Sequence, residues 1–217
     1  MSKLVNVDEI RNILKDDQCI MFGGFLECGT PDKLIDLLHE EDITDITLIA
    51  NDTGFPEKKL GSLIVEKRVK KVIASHVGTN PQTGKQMNNE EIEVNLVPQG
   101  TLAERIRSKG AGLGGFLTPT GVGTVVEDGK KKINIEGKDY LLEKALGADI
   151  ALVKAWKADK SGNLIFRYSA RNFNPLIAMA ANTVIVEAEE IVEAGEINPN
   201  EVMIAGIFVD YIVNFAE

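Results

Sequence analysis

The chain has 217 residues with 24 basic and 33 acidic side chains, a net charge of −9. It is long enough to bury roughly 70% of its unfolded surface without disulfides or metals, and too acidic as a whole to hold nucleic acid or an anionic membrane. Its two cysteines, Cys19 and Cys28, the charged N-terminal stretch MSKLVNVDEIRNILKDD and the lack of any apolar run near ~18 residues lead to the expectation of free thiols, a cytoplasmic location and no membrane span.

In chain order, helical spacing of Ile10, Ile13 and Leu14 predicts a helix over Asp8–Lys15, followed by a strand at Cys19–Phe22. A glycine-rich turn, Gly23 to Gly29, then meets Thr30-Pro31, read as a cap and first helical position ahead of a helix over Asp32–His39. Strands are expected at Ile46–Ala50, Lys71–Ser75 and Glu91–Val97, all rich in β-branched residues. The next helix is read from QGTLAERIRSKG, with Thr101 and Glu104 as a capping box and Gly110 as its left-handed stop. Between Val125 and Leu142, KKINI and KDYLL flank Gly137 as a small inserted hairpin. Further strands fall at Ile150–Ala155, Thr183–Glu187 and around residues 207–213. Short apolar strands alternating with helices give an α/β fold with an open, mostly parallel sheet flanked by helices, one domain over residues 1–217. The run KKK at 130–132 reads as a solvated turn.

GAGLGGFLTPTGVGT, residues 110–124, contains a formal GxGxxG, but it follows a helix and precedes a proline-containing, aperiodic stretch. A dinucleotide fingerprint requires the reverse context. Two readings stay open for it: a ligand-facing loop with exposed amides, or a tightly packed structural loop. Strand, glycine loop and helix do occur in the required order at residues 19–40, where helix-start amides can hold a phosphate or an oxyanion without lysine; a plain tight turn is the competing account. Asn51-Asp52-Thr53-Gly54, the polar stretch from Ser75 to Asn80, and Pro98-Gln99-Gly100-Thr101 follow three strands, as ligand loops or as ordinary turns.

Reactive machinery is sparse. His39 and His76 belong to no metal-spaced cluster, and no metal site is expected. Ser75 and His76 are adjacent on a strand end and face opposite ways. Cys28 is read as a buried, inert thiol rather than a nucleophile, and Glu27 as a solvated carboxylate.

GGFLECGTP (Gly23 to Pro31), ANDTG (Ala50 to Gly54), ASHVGTNPQTG (Ala74 to Gly84), PQGTLAERIR (Pro98 to Arg107), the 110–124 segment and ARNFNP (Ala170 to Pro175) together resemble the alpha subunit of family I CoA-transferases, and are most similar to the short-chain acyl type, acetate/acetoacetate or butyrate–acetoacetate. The resemblance spans essentially the whole chain. It implies an open α/β fold and pairing with a homologous beta subunit as an α2β2 heterotetramer. It also implies ping-pong CoA transfer between carboxylates through a glutamyl-CoA thioester on that partner's SENG-type motif. No such motif is present here, since Ser161-Gly162-Asn163 lacks the glutamate, so no catalytic residue is expected in this chain. By the same resemblance Gly23, Gly24, Phe25, Leu26, Glu27, Cys28 and Gly29 bind CoA, while Asn51, Gln99, Gly114, Gly115 and Phe116 surround the substrate and its oxyanion. Coenzyme A and acyl-CoA are then substrates, with no permanently bound cofactor. A sugar-phosphate isomerase of the same general fold and a non-catalytic scaffold subunit are the alternatives.

Overall fold

The computed structural model describes residues 2–215. Chain order is β1 (Leu4–Val5), α1 (Val7–Arg11), β2 (Cys19–Phe22), α2 (Asp32–Glu40), β3 (Ile46–Asp52), α3 (Lys59–Val65), β4 (Val69–His76), α4 (Pro81–Asn88) and β5 (Glu93–Leu96). There follow α5 (Gln99–Gly110), β6 (Gly115–Thr118), β7 (Lys132–Ile135), β8 (Lys138–Lys144), β9 (Ala148–Asp159), β10 (Leu164–Ile165), α6 (Asn174–Ile177), β11 (Ala181–Val192) and β12 (Tyr211–Val213).

The main sheet runs β1-β12-β11-β9-β2-β3-β4-β5, every pair along that path parallel, with β10 antiparallel on β9. Both faces are covered, so alternate residues of one strand enter different cores. Ile20 and Phe22, Leu48 and Ala50, Val72 and Ala74 pack under α1, α2 and α3. Their neighbours Met21, Ile49 and Ile73 pack with Leu102 and Ile106 of α5 and with Phe166, Phe173 and Ile177.

The inserted hairpin is β7–β8, and β6 adds to it as a third antiparallel strand in the order β6-β8-β7. Part of the 110–124 segment is therefore strand rather than irregular loop. Among the described residues no helix is long and apolar enough to cross a membrane.

Four local expectations need correction. α1 ends at Arg11 because Ile13 and Leu14 both donate to the Ile10 carbonyl, tightening the last turn before Lys15. α5 begins at Gln99, since the Pro98 carbonyl already accepts the Leu102 amide; Thr101 is buried inside the helix and makes no capping box. The left-handed stop is Gly112 (φ +71°), not Gly110. The Leu113 amide reaches the Ser108 carbonyl and the Gly112 amide the Lys109 carbonyl, the paired closure that a left-handed glycine two residues past the helix makes possible. Finally, α2 starts at Asp32 with Pro31 as its cap residue, and Thr30 supplies no capping bond.

Candidate active-site surface

From β2 the chain moves outward through β3, β4 and β5, then returns to place β9 on the other side of β2. The strand order thus reverses between β2 and β9, and open parallel sheets bind ligands at the carboxyl end of such a switch point. Residues 23–29 leave β2 at that place, with the Gly23 amide still bonded to the Leu152 carbonyl of β9.

The loop folds into a tight reversal: Phe25 and Cys28 exchange amide–carbonyl bonds of 3.1 Å each, and Leu26 takes a left-handed φ of +53°. Asp52, buried at the end of β3, holds that reversal. Its Oδ2 accepts from the Leu26 amide and from Asn51 Nδ2, both at 2.8 Å, and its Oδ1 accepts from the Gly54 amide at 2.9 Å. Asn51 Oδ1 in turn accepts from Ser75 Oγ at 3.0 Å. On the other flank the 171–175 segment clamps the loop. Asn172 Nδ2 donates to the Cys28 carbonyl, while Asn174 Nδ2 donates to the Gly29 and Ala170 carbonyls and its Oδ1 accepts from the Lys154 amide. The amides of Gly24, Glu27 and Gly29 bond to no group among the described residues. Glu27 is exposed and Gly29 half-buried, whereas Gly24 is buried, so the donors open to a ligand on this loop are those of Glu27 and Gly29.

The start of α2 is not one of these donor sites, contrary to the sequence-based expectation. Glu187 Oε2, from β11, accepts from the Lys33 and Leu34 amides at 2.8 and 3.2 Å, and its Oε1 pairs with Lys154 Nζ at 2.7 Å. A buried carboxylate 154 residues distant in sequence fills the place an incoming anion would take. Burial, and next the nearby Glu187 charge, raise the pKa of Asp32 in the same turn.

The predicted site residues divide. Phe25, Leu26, Glu27 and Cys28 are exposed and line a hollow of about 660 Å³ together with Phe55, Ser169 and Asn172. Cys28 is thus open to solvent, not buried, because the tight reversal carries it beyond the sheet. Glu27 is exposed at the reversal's tip with its pKa raised, mainly by partial burial. Gln99 is exposed at the first turn of α5, beyond the carboxyl end of β5. Asn51 shares this sheet edge, but its side chain is buried and spent on Asp52 and Ser75, so it supports the loop. Gly114, Gly115 and Phe116 are not brought to this edge. α5 spans about 18 Å away from Gln99 and ends beside Gly147, one residue before the amino end of β9, where the Gly114 carbonyl accepts from Ala145. Within this chain they lie at the opposite edge of the sheet.

Two nucleophile–base pairings were tested by the geometry. Ser75 Oγ donates to the Asn51 carbonyl and does not engage His76. Ser62 Oγ lies 3.0 Å from His39 Nε2, and His39 Nδ1 3.1 Å from Glu66 Oε2, an arrangement the sequence did not signal. Ser62 sits within α3 and its hydroxyl also reaches the Lys59 carbonyl, so the trio ties α2 to α3 rather than facing a substrate. Among the described residues no group of three or more His, Cys, Asp or Glu side chains is placed to hold a metal ion.

Comparison with known proteins agrees with this topology. An acyl-CoA transferase of Escherichia coli O157:H7, in a structure described as a thioester complex with CoA, superimposes with a TM-score of 0.81 at 24% identity, over 98% of this chain and 47% of that one. Glutaconate coenzyme A-transferase of Acidaminococcus fermentans gives 0.84 at 22% identity, over 98% and 75%. At those identities the fold alone is shared. In sequence, the chain is 53% identical over 212 residues to the acetate CoA-transferase subunit alpha of Escherichia coli K12, covering 98% of this chain and 96% of the relative. It is 51% identical to the acetoacetyl-CoA:acetate/butyrate CoA transferase alpha subunit of Clostridium acetobutylicum, covering 98% and 97%. The family description "Coenzyme A transferase" matches residues 6–214, and the chain belongs to the coenzyme A transferase family.

Proposed function

We propose that the chain is the alpha subunit of a short-chain acyl-CoA:carboxylate CoA-transferase handling acetate, acetoacetate or butyrate, completed by a homologous beta subunit in an α2β2 assembly in the cytoplasm. The 53% identity over nearly the whole length of an acetate CoA-transferase alpha subunit carries this reading. The exposed switch-point loop, which carries amide donors but no activated nucleophile of its own, is consistent with it. CoA enters as substrate, not as a resident group, and the whole chain acts as one CoA-transferase domain.

In this reading a glutamate of the partner attacks the acyl-CoA thioester. An acyl-glutamyl anhydride forms as the CoA thiolate leaves; the thiolate then attacks the anhydride, giving glutamyl-CoA and the free acid. A second carboxylate reverses the sequence, so one hard exchange becomes several easier steps. Residues 23–29 approach the CoA through the free amides of Glu27 and Gly29, and a well-placed amide donor to a developing oxyanion contributes about 3 kcal/mol. Gln99 offers its amide to the substrate carboxylate.

The test is co-expression with a similar-sized chain bearing a Ser-Glu-Asn-Gly stretch, followed by assay of acetyl-CoA exchange with acetoacetate and butyrate. Activity in the complex, with borohydride trapping of glutamyl-CoA on the partner, is the expected result. Full exchange by the isolated chain would overturn it.

A further inference from the structure

Three hollows along the carboxyl edge of the sheet share walls. The one lined by Phe25 and Phe55 shares Glu27 and Cys28 with a second of about 450 Å³, which shares Trp156, Arg167 and Tyr168 with a third of about 570 Å³. Together they make one furrow leading away from the glycine loop. Its far part has an unusual composition for an acidic chain.

The Arg167 guanidinium carbon stands 4.1 Å from the centre of the Trp156 ring and 5.6 Å from that of Tyr168. Lys157 also approaches Trp156, at 5.1 Å, but is held by Glu190. Among the described residues the Arg167 side chain makes no hydrogen bond or ion pair, and the Arg171 side chain makes one long bond, from Nε to the Phe166 carbonyl at 3.4 Å. Tyr168 occupies a left-handed backbone position (φ +46°) and leaves its side chain 82% exposed. A non-glycine residue in that region is strained, and the strain here displays an aromatic ring to solvent instead of burying it.

Carboxylates line the same furrow: Glu189, Glu196 and Glu201 near the stack, Glu27 and Asp32 nearer the loop. A bare anion is therefore disfavoured. A ligand suited to this mixture offers a flat π face to the stack, an N–H donor to the carboxylates and an anionic group to the arginine edges. An adenine nucleotide has all three.

We infer that Trp156, Arg167 and Tyr168 seat the adenine ring of the CoA nucleotide, with Arg167 and Arg171 meeting its phosphates. This rests on the reading of acyl-CoA as substrate, with its thioester end toward residues 23–29.

Trp156 is the single tryptophan of the chain, so its emission reports on the seat directly. The full chain is titrated with adenosine 3′,5′-bisphosphate, following emission and calorimetric heat together. The expected result is saturable binding, weakened at least about tenfold by Arg167→Ala and by replacing adenine with hypoxanthine, whose 6-oxo group would face the carboxylates; circular dichroism verifies that the variant is folded. Pantetheine, lacking the ring, leaves the emission unchanged. No heat and no emission change, or equal affinity in the folded Arg167→Ala chain, overturns the inference. In the assembled enzyme, Arg167→Ala raises KM for acyl-CoA with kcat preserved. An active wild-type complex whose Arg167→Ala form keeps the wild-type KM overturns the seat and leaves the transferase reading standing, whereas nucleotide binding without any exchange activity supports the seat and removes the transferase reading.

Discussion

Residues 23–29 and 110–115 are both glycine-rich, yet their glycines answer different demands. At Gly23 a Cβ would overlap Asn174 Oδ1, the group that accepts the Lys154 amide, and at Gly29 (φ +81°) it would press on Ala170. At Gly112 and Gly114 a Cβ would meet nothing within 4 Å; Gly112 is needed only for its left-handed helix stop. In the first segment all three glycines are crowded; in the second only the ends are, Gly110 by Met179 and Gly115 by the Glu143 carbonyl, while Gly112 serves the helix stop and Gly114 faces open space. Composition does not separate these causes, whereas the space around each absent side chain does.

The largest break in the crowded region is expected from Lys154→Met. It strands the buried Glu187 carboxylate at the start of α2 and should lower unfolding free energy in urea by about 3 kcal/mol or more. A loss under 1 kcal/mol would mean that the α2 amides alone satisfy Glu187.

The two thiols compare the sheet's two edges chemically. Cys28 is exposed at the carboxyl edge, while burial and then the Asp149 charge push the Cys19 thiol at the start of β2 up to about 11. At pH 8 about one Cys19 in a thousand is thiolate. Iodoacetamide should therefore modify Cys28 at least about a hundredfold faster, read by mass spectrometry of the native chain; comparable rates would contradict the placement of both.

Gly23→Ala should cost about 1–3 kcal/mol. The penalty should shrink when Asn174 is also alanine, because the clash and the bond it disturbs share one side chain. Full additivity in that double-mutant cycle would show that the two residues do not touch. Gly114→Ala, facing open space without a positive φ, should change stability by no more than about 0.5 kcal/mol. A larger loss would place another group against it.

Most strands were legible because both faces of a parallel sheet demand apolar runs, as in Ile46 to Ala50. The glycine loop was legible from its position between a strand and a helix. What holds it was not, since Asp52 looked like turn chemistry and the clamps from Asn172 and Asn174 arrive from about 145 residues away. The resemblance had included ARNFNP as a motif without its mechanical role. The capping readings fail for different reasons: at α5 the neighbouring Pro98 carbonyl already opens the helix, so Thr101 lies inside it, whereas at α2 the first-turn amides go to the distant Glu187 instead of to Thr30. Long-range carboxylates leave no local pattern.

The occupied helix start has an effect beyond architecture. Sulfate or phosphate from the medium finds those two amides already taken by the chain's own Glu187, so buffer anions have no foothold on them beside the loop proposed to approach the thioester. On the proposed function, selectivity at that end of the furrow is partly a matter of keeping small inorganic competitors out, leaving entry to a molecule large enough to engage several walls at once.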